Sequence, residues 1–314
     1  MKENGYFNIT RKHSSDLEKI AKQANLYEFH AKIENFLPAL VGIVMRYNNY
    51  PGKPMPLDYS LEEMQIMAEA FFEDFNPRLY EKLKLALQNA EIYASEPCAE
   101  NKGKDNCMRK SGGKVKMILN PTNDVEGLCC VAHENSHACS QRMTEDVKEK
   151  EQLIGEIESK FIEKVYLDWL LYNEAISQED YDFKRRAQRQ DLVVDCDSVL
   201  AEVDFLKSIN HDFHFRNLQK VIWQKSNLEK CVINMQKGKV SPWLGRYIIG
   251  EIVAQALYSE YCQNPQEISE RFTDYICKNA EMGFDEAAKF LLGENYIEKI
   301  NAEFFPREKQ EERS

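Results

Sequence analysis

Nowhere in this chain does an uninterrupted apolar run approach the roughly 18 residues that a membrane helix needs, so no segment reads as a membrane span. The segment from Met1 to His13 lacks the apolar core of a signal peptide. A soluble protein made in the cytoplasm is expected, with export as an effector lacking a cleavable signal as the alternative. Ordered cysteine spacing is also missing. The nine cysteines, Cys98, Cys107, Cys129, Cys130, Cys139, Cys196, Cys231, Cys262 and Cys277, are odd in number and show no repeated short spacing. That pattern excludes a disulfide framework and a zinc knuckle, and most of these thiols read as small buried apolar groups. Positive charge is scarce as well: 41 Lys and Arg stand against 52 Asp and Glu, giving a net charge of -11. General nucleic-acid affinity needs a concentrated basic surface, so no nucleic-acid partner is expected. The one basic cluster, Lys184-Arg185-Arg186 with Arg189, is flanked by Asp and Glu and reads as a solvated helix face. There is no internal repeat and no extended low-complexity segment.

What is present is helical periodicity. Apolar residues recur at three- and four-residue spacing over 16–46, 61–75, 77–93, 147–173, 178–207, 213–236, 242–261 and 265–279. Ser60 followed by Glu62 and Glu63 caps one start, and Pro77 and Pro265 suit first helical positions. Two stretches break the pattern: a Gly/Pro loop over 48–56 and a polar segment over 96–113, which leads into a strand over 115–120. The fold class expected is mostly α, with one small β-sheet beside the helix that follows that strand.

That helix carries the chemistry. The sequence His133-Glu134-Asn135-Ser136-His137 places two histidines four apart, on one helix face, where they can grip a single zinc ion. Glu134 lies between them, where it can hold a zinc-activated water and take its proton. The pattern arises by chance about once per hundred chains of this length, so its surroundings have to support it. They do: Asn123-Asp124-Val125-Glu126 offers a helix cap, followed by the apolar residues Leu128 to Ala132, so the motif sits well inside a helix over 124–142. Cys139, two residues past His137, faces away from the metal side. His211 and His214 belong to a polar loop and need no metal.

A catalytic zinc needs a third protein ligand and an open fourth position. The next helix offers Glu156 and Glu158, and spacing alone does not choose between them; Glu163 shares a face with Glu156 two turns away.

The stretch from Ser111-Gly112-Gly113 through Met117-Ile118-Leu119-Asn120 to the His133–His137 motif resembles the active-site region of the oligoendopeptidase F and thimet oligopeptidase family of zinc metallopeptidases. The segment 156–163 is similar to that family's second metal-site helix, with a glutamate, a serine close behind and a second glutamate seven positions on. Tyr247-Ile248-Ile249-Gly250, followed by Ala254, Leu257, Tyr258, Tyr261, Asn264 and Pro265, is similar to its C-terminal helices, so the resemblance covers about residues 105–295. It implies a gluzincin: one Zn2+ ion held by His133, His137 and Glu156, Glu134 as general base, Glu163 supporting the site from behind the ligands, and Tyr247 stabilising the oxyanion. The chain departs from the pattern in two places. Ser136 stands where the family has glycine, and the segment before Gly250 keeps Tyr247 but has Lys237, Gly238 and Gly245 near where the family has histidine and further tyrosines.

Family members are commonly longer at the N-terminus. The organisation expected is therefore a helical N-terminal subdomain over 1–95 forming one wall of a more open cleft, a catalytic domain over 96–305, and a disordered tail over 306–314. That tail slightly resembles the glutamate-rich C-terminal signals of some type IV secretion effectors. The partner expected is a peptide or protein substrate, without nucleic acid or membrane. The strand over 115–120 is expected to pair with an extended peptide by edge addition, with Lys114 and Lys116 favouring acidic side chains. The leading function is a zinc endopeptidase of short or extended peptides. The alternatives are a dedicated protease of one folded target and an inactive peptidase-derived binding module.

Overall fold

A computed structural model describes residues 34–46, 52–104, 106–111, 114–140, 156–209, 241–278 and 282–304. It is mostly helical with one small sheet. Among the described residues the elements run α1 (Leu37–Arg46), α2 (Leu61–Phe75), α3 (Pro77–Gln88), β1 (Ala90–Ala94), β2 (Cys107–Ser111), β3 (Lys114–Leu119), α4 (Val125–Ser140), α5 (Ile157–Tyr172), α6 (Gln178–Ile209), α7 (Ser241–Tyr261), α8 (Pro265–Lys278), α9 (Phe284–Leu292) and α10 (Tyr296–Phe304). No described helix is long and apolar enough to cross a membrane. The helix expected over 213–236, residues 16–33 of the first helix, His211 and His214, Lys237 and Gly238, Cys231 and the tail lie outside the described residues.

Local chemistry explains several boundaries. Ser60 caps α2 by accepting from the Glu63 amide at 3.3 Å, while Glu63 Oε2 accepts from the Ser60 amide at 2.8 Å, a reciprocal capping box. Asn76 ends α2, its amide donating to Phe72 O, and opens α3 by accepting from the Arg78 amide at 3.0 Å, with Pro77 preset for the first turn. The periodicity over 77–93 overruns the true helix. The helix stops at Asn89, and 90–94, with Ile92 and Tyr93, form β1. A second strand, β2, lies inside the segment expected to be loop.

The sheet order is β1-β3-β2, with β1 parallel and β2 antiparallel to β3. This corrects the edge-addition expectation for 115–120: β3 is paired on both sides, so its backbone groups are already spent in the sheet. Lys116 is engaged too, with Nζ 3.7 Å from Glu91 Oε2. Beyond the sheet, Asp124 rather than Asn123 caps α4. Its Oδ1 accepts from the amides of Glu126 at 2.9 Å and Gly127 at 3.2 Å. The turn before α4 folds down on Gly127 so closely that a Cβ there would meet Thr122 O at 1.9 Å. Only glycine permits this entry into the helix.

Two compact units result: one takes 49–190 and 249–299, the other 1–48, 191–248 and 300–314. The first therefore joins α2, α3 and β1, which belong to the expected N-terminal subdomain, to the helix bearing the histidines. In its core, α4 packs along α5, and rings from α2, α5 and α8 cluster: Phe161 lies 4.7 Å from Phe272, and Phe71 lies 5.1 Å from Tyr166. Each such ring contributes about 1.5–3 kcal/mol by leaving water. In the second unit, Phe36, Leu40 and Ile43 are buried, and Asn301 ties the start of α1 down by accepting from the Ala39 amide and donating to Asn35 O. Every described cysteine is a free thiol.

Candidate metal centre

Helix α4 presents His133 and His137 one turn apart, their ring centroids 4.8 Å apart and planes at 79°. Their Nε2 atoms approach to 3.1 Å. Glu156 stands at the residue before α5, and its Oε2 lies 3.4 Å from His133 Nε2 and 3.7 Å from His137 Nε2. A tetrahedral ion with metal–ligand distances of about 2.0–2.2 Å spaces its ligand atoms about 3.3–3.6 Å apart. The three observed separations bracket that range, and the same three residues form the group that can hold a metal ion. Two imidazoles and one carboxylate, leaving one position open, are the donor set of catalytic zinc sites.

Of the two candidate glutamates, packing brings Glu156 and not Glu158 to the histidine pair. Ser159 Oγ donates to Glu156 Oε2 at 3.2 Å, and helix α7 presses on Glu156 from the other side. A Cβ on Gly250 would lie 2.6 Å from the Glu156 Cβ and 2.9 Å from its carbonyl carbon, so α7 reaches Glu156 only because residue 250 is glycine. Next along both helices, Lys164 of α5 and Glu251 of α7 form a buried ion pair that ties the two together. Glu158 is fully buried but lies outside the ligand group.

Behind His133 is Glu163, whose Oε1 lies 2.6 Å from His133 Nδ1. With Nδ1–H donating there, Nε2 is the ring atom that faces Glu156 and His137. Glu163 is itself surrounded: Lys160 Nζ is 3.1 Å from Oε1, Gln188 Nε2 donates to Oε2 at 3.2 Å, and Lys184 Nζ is 3.7 Å from Oε2. The basic cluster over 184–186 is thus not a solvated face. Lys184 turns inward to Glu163, and the Arg185 guanidinium lies 4.5 Å from the Tyr258 ring centroid.

The field of the site favours a cation. Burial alone would push the His133 imidazole down, but its hydrogen bonds to Glu156 and Glu163 outweigh that and raise its pKa to about 10. Burial would raise the Glu156 carboxyl, yet the two histidines hold it well below the ordinary carboxylate range. Glu163 too is held well below that range against its burial, first by Lys160 and Lys184 and then by His133. Glu134 is 4% exposed, and burial pushes its pKa up. Among the described residues Glu134 Oε2 and His137 Nδ1 have no hydrogen-bond partner. A buried carboxylate oxygen left unsatisfied beside three converging ligand atoms fits a site that takes up an ion and a polar ligand.

Tyr247 lies on α7 and is half-buried, three residues before the glycine that meets Glu156. Gly245 is on the same helix. Cys139 is buried away from the cluster, its Sγ donating to Leu79 O at 3.8 Å. Ser159 and Gly250 enter the sequence reading only through the family resemblance, and Lys160, Lys184 and Gln188 do not enter it as parts of a metal site. The only available signal was the four-residue spacing of Lys184 and Gln188.

No protein-family model matches this sequence, and neither does any curated protein. Solved structures do match. A protein of Bacillus anthracis str. Ames described as a candidate oligoendopeptidase F has a TM-score of 0.53 and 15% identity over 80% of this chain and 46% of its own. A candidate peptidase of Chlamydophila abortus has a TM-score of 0.53 and 14% identity over 94% of this chain and 55% of its own. PZ peptidase A, determined with an inhibitor, has a TM-score of 0.52 and 14% identity over 91% of this chain and 58% of its own. The chain therefore spans about half the length of these structures, and at such identity the likeness is one of fold alone.

Proposed function

We propose that this protein is a zinc-dependent endopeptidase that hydrolyses peptide bonds in short or extended peptides. One observation carries the reading: two imidazole nitrogens and the Glu156 carboxylate converge at ion-binding separations, with the unsatisfied carboxylate of Glu134 buried next to one of the histidines. His133, His137 and Glu156 would hold the metal. When bound, zinc supplies Lewis acidity, making a water acidic enough to attack near neutral pH and polarising the scissile carbonyl.

Within that reading each residue has a physical task. Glu134 Oε takes a proton from the attacking water as its oxygen bonds to the carbonyl carbon. It then gives that proton to the amine nitrogen as the C–N bond breaks. Burial, by raising the Glu134 pKa, suits a group that must both accept and return a proton. Glu163 holds the His133 ring, and Ser159 and Gly250 hold Glu156. Tyr247 is assigned as donor to the oxyanion, where a hydroxyl is worth most because charge develops there. An extended peptide would pair with an outer strand. Of the two, β2 packs against α4 and is the one assigned here.

The experiment is cleavage of a diverse short-peptide mixture by the zinc-loaded chain and by Glu134→Gln, read by mass spectrometry. Cuts made by the unmodified chain and reduced about 100-fold or more in the variant are expected. A folded, zinc-loaded chain that makes no cuts would overturn the reading.

A further inference from the structure

Helix α6 contributes two side chains to the back of the metal centre, spaced one turn apart. The Lys184 side chain is 13% exposed, with Nζ 3.7 Å from Glu163 Oε2, and buried Gln188 donates to the same oxygen at 3.2 Å. The other oxygen, Oε1, is shared between Lys160 Nζ at 3.1 Å and His133 Nδ1 at 2.6 Å. Glu163 thus meets donors from three helices, α4, α5 and α6, and both of its oxygens are committed. A carboxylate on a long side chain keeps one rotamer only when so enclosed, and a buried one keeps its charge only when paired.

We propose that Lys184 and Gln188 are positioning residues: they fix the orientation of Glu163, and through it the His133 ring and the affinity of the centre for its metal. The inference rests on the metal-site reading and deepens it by naming what holds the support of His133. Lys160 alone is insufficient, since it is on the same helix as Glu163 and meets only Oε1; Oε2 is secured from α6. The lysine also offsets charge. Glu134, Glu156 and Glu163 bring three carboxylates into one buried region, and Lys160 and Lys184 are the cations set against Glu163, the one that does not face the metal. Burial pushes the Lys184 ammonium down, but the facing carboxylate more than restores it, so it remains charged. A lysine there also repels a metal ion over a longer distance. That direct effect opposes the positioning effect, so the two have to be separated experimentally.

The test is zinc affinity of the whole chain by competition with a chromogenic chelator, together with the visible spectrum of the cobalt-loaded protein, which reports ligand geometry. The variants are Gln188→Leu, Lys184→Met and Lys184→Arg, each with and without Glu163→Gln. Gln188→Leu changes no charge and carries the proposal even if Lys184→Met fails to fold. Expected are a roughly 10-fold weaker affinity and an altered cobalt spectrum for Gln188→Leu and Lys184→Met, near-recovery in Lys184→Arg, and no additional loss in the Glu163→Gln background. Unchanged affinity and spectrum in Gln188→Leu would overturn the inference while leaving the metal-site reading intact. So would an effect that persists undiminished without the Glu163 carboxylate. An unmodified chain that takes up no zinc would overturn both.

Discussion

Helices α5 and α6 share two polar clusters, and their difference separates fastening from function. Further along α5 from Glu163, Asp168 accepts from Tyr181 at 2.9 Å through one oxygen and from Tyr258 at 2.5 Å through the other. Arg185 Nε donates to Tyr181, and its guanidinium covers the Tyr258 ring. Burial and the bond to Asp168 both raise the Tyr258 pKa, so its hydroxyl stays a donor. These groups close on one another and tie α5, α6 and α7 together. The cluster around His133 is more deeply buried and just as dense, yet among the described residues it leaves Glu134 Oε2 and His137 Nδ1 without partners. Leaving a buried polar atom unsatisfied costs about 1–3 kcal/mol, a cost that an incoming ion and polar ligand would offset at the histidine cluster, whereas the Asp168 cluster needs no such partner.

The contrast is testable by removing groups from each cluster and reading both metal affinity and stability. The largest effect expected is from His137→Ala or Glu156→Ala. If a four-ligand site is worth about 10–16 kcal/mol, one ligand accounts for about 3–4, so zinc affinity should fall about 100- to 1,000-fold by chelator competition. Next is Gly250→Ala. Its methyl group would require α7 and Glu156 to separate, costing about 1–3 kcal/mol in denaturant unfolding and weakening zinc as well, because Glu156 is the residue displaced. Smaller still is Tyr258→Phe, which removes one hydrogen bond to Asp168 and should cost about 1 kcal/mol of stability with zinc affinity unchanged. Loss of zinc affinity in Tyr258→Phe would break the comparison, since the fastening cluster would then be part of the metal centre.

Which parts were legible in the sequence follows from how local their causes are. The histidine pair was readable because one helical turn places both on a face, and the start of α2 was readable because a capping box is complete within a few residues. Which glutamate joins the histidines was not readable from spacing, because Glu156 and Glu158 are separated only by where α5 begins and by a glycine on α7 far along the chain. Strand β1 looked helical since Ile92 and Tyr93 continue the period of α3. What makes it a strand is parallel pairing with β3, a non-local partner that periodicity cannot register. Lys184 failed for the same reason: its charged neighbours suggest solvent, and only the facing α5 shows it turned inward.

The pH dependence of the metal centre takes its sign from the shifted groups. The raised His133 pKa, about 10, means that metal-free protein carries a proton there at ordinary pH, and zinc binding at Nε2 has to displace it. Uptake at about pH 8 should therefore release about one proton, and affinity should rise about tenfold per pH unit until the histidine titrates. A folded-state pKa above the unfolded value gives stability that is complete below the ordinary imidazole range and lost as pH rises through about 10. The depressed carboxyls of Glu156 and Glu163 act oppositely: their contribution is complete above the ordinary carboxylate range and lost as pH falls through their lowered values. Metal-free protein should thus weaken at both ends, and zinc should remove the alkaline loss by replacing the proton. Glu163→Gln removes one source of the raised pKa, so the upper limit of the pH-dependent affinity should shift downward. Calorimetry in buffers of different ionisation enthalpy counts the released protons, and a count near zero would show that His133 is already neutral and that Glu156 and Glu163 do not hold a proton on it.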